Sequence, residues 1–413
     1  MRSIREPRET AGRRARRDLL TVVKVGGSLL QGIADLRRVA SALAEKRRDS
    51  GSLLVVASAL RGVTDLLELA AAQALDRSGG SLGETLETLR RRHLEIAREV
   101  AADGTVLDRV QGVLAEAEEL VGLIGASGEL SDATCARLLS YGERLSVVLL
   151  AAALEATGCP AQPVAAEDAG LRAAGPHRAG ACDLAASAPG LLRMRSDLPD
   201  RIPVLTGFYG LGRDGGVILF GRGGSDDTAC AVAAGLDAGR LELWKDVPGL
   251  MSADPREVRG AHVIQEVSFD EVAQLGAFGS RVVHHRCLEP LRGRSTEVLV
   301  SSVPESGSTA GTRLVERPAR GATRVVALAS RRSPSLIGAS LVGASLVGLV
   351  GDGIAGDPEI RSRMRACLAA TGARGDLEVQ PSGRSGLCCS IHPDDLLPAL
   401  SDLHASFFPS PQP

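Results

Sequence analysis

Four short stretches of this 413-residue chain hold residue types that could grip a small charged ligand. In the first, Lys24-Val25-Gly26-Gly27-Ser28, a cation precedes two glycines and a hydroxyl. The backbone N–H groups of such a turn can face a phosphate at a helix N-terminus, with Lys24 adding a point charge. The lysine precedes the glycines instead of following them, so this is not a Walker loop, and a plain strand-to-helix turn would look similar. The second, Gly221-Arg222-Gly223-Gly224-Ser225-Asp226, runs straight into an Ala-rich stretch from Thr228 to Leu236. Arg222 offers a bidentate fork to a carboxylate, and Ser225 falls at a helix N-terminus. The third is a single acid, Glu143, on the helical face of Ala136, Leu139, Val147, Leu150 and Leu154. An ionised carboxylate there must be paired or desolvated at considerable cost; the α-ammonium of an amino acid would serve as partner, and so would an internal arginine. The fourth is Trp244-Lys245-Asp246-Val247-Pro248-Gly249, followed by Asp254-Pro255-Arg256. Nucleotide and metal contacts are built this way, yet Asp-Pro is also a frequent turn formula, and the residues alone do not choose.

The elements around these stretches place them. From Leu19 onward, short apolar runs alternate with longer helical patterns, which predicts a mainly parallel sheet covered by helices on both faces. Thr21 to Val25 reads as the first strand and Leu53 to Ala57 as the second, with Ile33, Leu36, Val39, Ala40 and Leu43 at helical spacing between them. Residues 64 to 154 read as several helices. Further strands are expected at Ile202 to Leu205, Val217 to Phe220 and Leu241 to Trp244, each followed by a turn of the kind that binds ligands at the carboxyl end of a strand. Ser268 and Glu271 form a capping-box sequence, so a helix is expected from Phe269 to about Phe278. The stretch from Ser301 to Thr312 is rich in Ser, Gly, Thr and Pro, as linkers are, and places a domain boundary near residue 315.

Bulk composition removes other classes of function. An apolar content of 44% with 24% charge is that of an ordinary globular chain, and a net charge of -2 gives no broad basic surface for nucleic acid. Only 2% of residues are aromatic, too few for a base-stacking platform. The eight cysteines show no C-x-x-C pair and read as reduced core thiols. The first eighteen residues carry seven arginines without an apolar h-region, which reads as a basic, disordered tail rather than a secretory signal. The apolar stretch from Leu336 to Val350 is interrupted by glycines and shorter than a membrane span. A cytoplasmic protein is expected, with no membrane association.

Taken in order, these motifs resemble the aspartate kinases of the amino-acid kinase superfamily. Val55-Val56-Ala57-Ser58-Ala59, Gly62-Val63-Thr64-Asp65, Gly142-Glu143-Arg144-Leu145-Ser146 and Phe278-Gly279-Ser280-Arg281-Val282-Val283-His284 complete the set, which covers about residues 20 to 315. The resemblance implies a three-layer αβα sandwich with a mainly parallel central sheet, and transfer of the ATP γ-phosphoryl group to the β-carboxylate of L-aspartate to give 4-phospho-L-aspartate. The product would feed lysine, threonine or methionine synthesis or a specialised product. Lys24, Gly26, Gly27 and Ser28 would face the ATP phosphates, and Asp246, Met251, Arg256 and Arg281 would line the nucleotide site. Ser58, Thr64, Glu143, Arg222 and Ser225 would hold aspartate. Lys24 and Asp226 would be catalytic, with Mg²⁺ sharing the neutralisation of phosphoryl charge and Asp226 helping to place metal or substrate. An ionised β-carboxylate needs no general base, so the task is in-line positioning and charge neutralisation. A kinase for another carboxylate, of the glutamate type, and a non-catalytic amino-acid sensor are the competing expectations.

The chain departs from the family pattern at three places: Met251 stands where an aromatic is usual, Arg281 where a Lys is, and Lys245 where a Thr is. Altered nucleotide affinity or rate is the expected consequence. His284 and His285 are not read as a metal site, since no other ligand stands beside them.

Beyond residue 315 the pattern resembles an ACT domain, a small α+β module, with a strand at Ser345 to Leu349, a helix near Glu359 to Ala370, strands near Leu377 and at Leu387 to Ile391, and a last helix from Pro393 to about His404. The family usually has two such modules. A strand at about Thr323 to Leu328 reads as the remnant of the other, so weak or absent feedback inhibition is expected, with a homodimer or higher homo-oligomer formed through the module that remains. Val350 to Gly356 with Asp376 satisfies a dinucleotide fingerprint, but too little chain follows for such a domain. The expected organisation is therefore a tail over 1–18, a kinase domain over 19–315 and a truncated ACT-like region over 316–413.

Overall fold

The computed structural model describes residues 20–76, 81–101, 104–221, 223–280, 282–304, 311–318, 324–332 and 344–408. The expected basic tail, Arg222 and Arg281 lie outside the described residues. The chain divides into two compact units. One comprises residues 1–246 with 290–309, and the other residues 247–289 with 310–413.

The first unit is built in chain order from β1 (Thr21–Val25), α1 (Ile33–Ser50), β2 (Leu53–Ala57), α2 (Val63–Leu75), α3 (Leu82–Val100), α4 (Gly104–Ser127), α5 (Asp132–Glu155), β3 (Ala161–Val164), α6 (Leu184–Met194), β4 (Ile202–Thr206), α7 (Gly224–Gly235), β5 (Arg240–Trp244) and β6 (Glu297–Ser301). Its strands lie in the order β6-β5-β1-β2-β4-β3, and every neighbouring pair is parallel. Parallel strands covered on both faces read as unbroken apolar runs, and β1, β2 and β4 are buried along their full length. Lys24 is the charged residue inside that run in β1, which sits mid-sheet between β2 and β5. The chain winds outward from β1 in both directions, so the carboxyl end of β1 is a topological switch point, where ligands collect in such sheets.

Helix α5 starts at Ser131, whose Oγ accepts a hydrogen bond from the Thr134 amide at 3.1 Å. From Cys135 onward nearly every residue of α5 is buried, as expected of a helix covered on all sides. The expected strand at Val217 to Phe220 forms as Val217–Leu219 but does not join the parallel sheet. It pairs antiparallel with Tyr209–Leu211 in a separate ribbon. The Gly221-to-Asp226 segment therefore leaves a hairpin, not a central strand.

In the second unit, Glu266–Ser268 and Thr312–Val315 form a parallel pair, and the capping box is present: Glu271 N–H donates to Ser268 Oγ at 3.1 Å and Ser268 N–H to Glu271 Oε2 at 2.7 Å. It starts α8 (Phe269–Ala277). A four-stranded antiparallel sheet follows, in the order Ala327–Arg332, Ser345–Val350, Gly386–Ile391, Gly375–Pro381. Helices α9 (Pro358–Ala370) and α10 (Leu396–Phe407) contribute Met364, Leu368, Leu400 and Leu403 to the core against Val347, Leu349 and Leu387 of the sheet. The reading of a strand near 323–328 as the remnant of another module is corrected here: Ala327–Arg332 pairs along its full length with Ser345–Val350 and is an edge strand of the same sheet. A strand that precedes its own module in sequence carries no local sign of which sheet it will join. The fingerprint at Val350 to Gly356 follows a strand of this antiparallel sheet, not a parallel βαβ unit.

Candidate active site

The carboxyl ends of β1, β2 and β5 and the start of α7 converge on a small polar cluster. Lys24 and Leu243 are register partners on β1 and β5, so Lys245, two residues beyond Leu243, points to the same sheet face as Lys24. Asp226, in the first turn of α7, sits between the two lysines: Lys24 Nζ is 3.0 Å from its Oδ1 and Lys245 Nζ 2.5 Å from its Oδ2. The Asp226 side chain is only 3% exposed. Burial alone pushes its pKa up, but the two ammonium charges outweigh that and hold the carboxyl below its ordinary value. Asp226 is thus ionised, and the cluster of two lysines and one aspartate carries a net positive charge.

The glycine turn lies next to it. The Gly26 N–H donates to Trp244 O at 3.3 Å, tying the turn to β5, and Gly27 begins a short 3₁₀ turn through Leu29. A Cβ on Gly27 would stand 2.6 Å from Ala59 O, so no larger residue fits there without moving the loop after β2. That loop is held in turn: the Ser58 N–H donates to Val25 O at 3.1 Å. The Ala59 N–H donates to Glu143 Oε1 at 3.0 Å.

Glu143 reaches Ala59 because α5 approaches closely at Gly142, where a Cβ would be 2.8 Å from the Ala59 methyl. Its other oxygen, Oε2, is buried with no hydrogen-bond partner among the described residues. Burial pushes its pKa up to about 8, against the Ala59 hydrogen bond and the charge of Lys24. The buried acid Glu242 shows what a structural carboxylate looks like in the same unit. It meets Lys46 at 2.7 Å, Arg240 at 2.6 Å and the Trp244 indole N–H at 2.9 Å, and burial is overcome so that its pKa falls. Glu143 lacks such a set, and one of its oxygens remains to be matched. The next residue, Arg144, is anchored by Glu167 at 2.5 Å and packs on the rings of Tyr141 and Tyr209, which fixes the rotation of α5.

Ser225 is buried at the N-terminus of α7, against Gly207. Ser58 is half-buried after β2, and Thr64 is half-buried in the first turn of α2. Asp246 is exposed just past β5. Met251 and Arg256 belong to the second unit. There the Arg256 guanidinium is 2.6 Å from Asp254, with its side chain 87% exposed. Among the expected residues, Lys24, Gly26, Gly27, Ser58, Glu143 and Asp226 are thus linked by contacts within the first unit. Lys245 was expected only as a departure from the family pattern, not as a site residue. Its signal was the strand register, which aligns it with Lys24.

The fold has counterparts among known proteins. The chain belongs to the amino acid kinase family, whose pattern it matches over residues 20–302. Within that family it groups with the aspartokinases: it is 30% identical to lysine-sensitive aspartokinase 3 of Escherichia coli K12 over 326 residues, 77% of this chain and 69% of that protein. It is also 31% identical to the aspartokinase of Mycolicibacterium smegmatis over 284 residues, 68% of this chain and 54% of that protein, so it spans about half the length of that relative. In fold it is similar to E. coli aspartokinase III solved in complex with aspartate and ADP, with a TM-score of 0.80 at 23% identity, covering 94% of this chain and 100% of that one. Among the described residues, no helix is long and apolar enough to cross a membrane.

Proposed function

We propose that this chain is an aspartate kinase, moving the γ-phosphoryl group of ATP onto the β-carboxylate of L-aspartate. The observation that carries this reading is Glu143, a buried acid with one unmatched oxygen, set beside a net positive lysine cluster at the switch point of the sheet. A zwitterion with an ammonium at one end and a carboxylate acceptor at the other fits that pairing. Glu143 takes the ammonium, with Ser58, Thr64 and Ser225 as hydrogen-bonding neighbours and Arg222 as the carboxylate fork. Lys24 and the Gly26–Gly27 turn face the phosphates, and Asp246 serves the nucleotide.

In the reaction a β-carboxylate oxygen forms a bond to the γ-phosphorus as the bond to the β,γ-bridging oxygen breaks, and ADP leaves with that oxygen. The acceptor is already ionised at neutral pH, so no side chain has to remove a proton. Lys24 offers fixed positive charge where charge is spread over the transferring group. Mg²⁺ would arrive on the phosphates and supply further neutralisation, since it is held mainly by phosphate oxygens, water and one or two carboxylates. The described residues include no cluster of three or more acidic, His or Cys side chains that could hold a metal alone. Both oxygens of Asp226 are engaged by lysines, so Asp226 fits the task of holding those lysines better than that of a metal ligand. Asp246, exposed just past β5, is an acid that could take that role.

The test is an ATP-dependent hydroxamate assay on purified protein with aspartate, glutamate and N-acetylglutamate compared. Turnover with aspartate at least tenfold above the others supports the reading. A preference for glutamate, or binding without turnover, replaces it with a different carboxylate kinase or a sensor.

A further inference from the structure

A buried carboxylate needs one cation for charge balance, and Asp226 has two. Lys24 takes one oxygen and Lys245 the other, and the Asp226 side chain is almost fully enclosed. Lys245 donates a hydrogen bond to Oδ2, and Lys24 Nζ stands at ion-pair distance, 3.0 Å, from Oδ1; an ammonium has three donors, so Asp226 uses only one of those on Lys245. Lys245 is the more open of the pair, its side chain 15% exposed against 8% for Lys24. It is also firmly placed at its backbone, because its N–H donates to Ser301 O at 2.8 Å on the neighbouring β6. The register puts it on the sheet face of Lys24, past the end of β5 and level with the glycine turn.

A lysine whose purpose was only to neutralise Asp226 would be redundant with Lys24. It would also add an uncompensated charge at the carboxyl end of the sheet, which favours an anionic ligand there. Elsewhere in the unit surplus charge is cancelled: Lys46 and Arg240 share Glu242, and Arg240 also meets Glu297. No second acid meets Lys245 among the described residues.

We infer that Lys245 is a second phosphoryl-directed cation, held by Asp226 opposite Lys24 so that the two ammonium groups flank the transferring group. This rests on the phosphotransfer reading of the same site. Lys245 and Lys24 are catalytic residues, while Asp226 is the positioning residue that sets their separation. A structural partner of Asp226 and a phosphoryl contact differ in what they change. The first affects folding and leaves turnover alone, whereas the second acts on the step in which charge spreads over the phosphoryl oxygens.

The experiment compares wild type, K245M, K245R and D226N as full-length chains. It measures kcat and both KM values by ADP release, aspartate binding without nucleotide by calorimetry, and thermal midpoints. Lys245→Met is expected to lower kcat at least thirtyfold while aspartate binding stays within error of wild type and the midpoint falls, since Asp226 loses one partner of a buried ion pair. Lys245→Arg, which keeps the charge, is expected to recover most of that loss, and Asp226→Asn to lower kcat at least as far as Lys245→Met. Turnover of K245M within threefold of wild type overturns the inference, as does a kcat loss that arginine fails to recover. A wild-type enzyme that turns over no carboxylate substrate would instead remove the reading on which the inference stands, so the two failures are told apart.

Discussion

Aspartate binding should release a proton from Glu143, and the amount can be worked out. In the free protein burial lifts the Glu143 pKa to about 8, so at pH 7 about nine-tenths of the molecules carry a protonated Glu143. An ammonium brought to Oε2 favours the carboxylate and pulls the pKa down. Binding at pH 7 therefore expels about 0.9 proton per aspartate, and at pH 9, where the group is already ionised, about 0.1. Isothermal titration calorimetry in two buffers of different ionisation enthalpy reads this number directly. Glu143→Gln should abolish the release and raise the KM for aspartate about tenfold to a hundredfold, the scale of a lost hydrogen bond to a charged group. The same shift acts on stability, and its sign is definite. A carboxyl whose folded pKa lies above its unfolded value binds more protons in the fold, so stability is lost as pH rises from about 4.5 to about 8. The slope attributable to this group is up to about 1.4 kcal/mol per pH unit, so E143Q should match wild type near pH 5 and exceed it near pH 8. Proton release indistinguishable between pH 7 and pH 9, or an E143Q enzyme with unchanged aspartate KM, would refute the assignment.

Gly27→Ala forces a Cβ to 2.6 Å from Ala59 O, so the turn must move away from the loop that carries Ser58; a kcat loss of tenfold or more is expected, with the thermal midpoint lowered by only a few degrees. His93 is fully buried in α3 and its pKa is lowered to about 4, mainly by burial. A histidine depressed in the fold costs nothing above pH 6.5 and destabilises as pH falls toward 4, by up to about 3 kcal/mol, so in urea melts H93L should lose less stability than wild type over that window. Lysine and threonine titrated into the kinase assay should inhibit weakly or not at all, because the described C-terminal chain forms a single four-stranded module; strong inhibition by either at submillimolar levels would show otherwise.

How much of this was legible in the sequence varied with the distance over which each feature is determined. β1 and β2 were readable to the residue because buried parallel strands appear as runs of Val and Leu, and the Ser268–Glu271 capping box because it is a four-residue pattern. Glu143 stood out because a lone acid interrupts an apolar helix face. By contrast, β3 (Ala161–Val164) is short, contains Pro163 and was not anticipated. The strand Val217–Leu219 was found, but its partner was not, since an antiparallel ribbon and a parallel strand share the same local composition. The membership of Ala327–Arg332 in the four-stranded sheet, and the approach of Lys245 to Asp226, depend on pairing across long stretches of chain, which no local pattern encodes.

The two buried acids of the site have opposite protonation because of what the backbone places beside them. Asp226 and Glu143 are both enclosed, and burial alone would neutralise each. Asp226 begins a helix whose first turn stands over the ends of β1 and β5, where two lysines meet it, so it is charged. Glu143 lies within a helix whose neighbour across the gap is a backbone amide, so it is uncharged until something positive arrives. The sheet end is therefore prepared for an anion in advance, while α5 becomes ready for a cation only as the cation binds. A free site with a charged Glu143 would place a second carboxylate near Lys24 and offset the positive charge that the phosphates require. On the proposed assignment, an acid kept neutral until aspartate binds would leave the lysine pair at full strength for the nucleotide, so that Glu143 and Lys245 would serve one site.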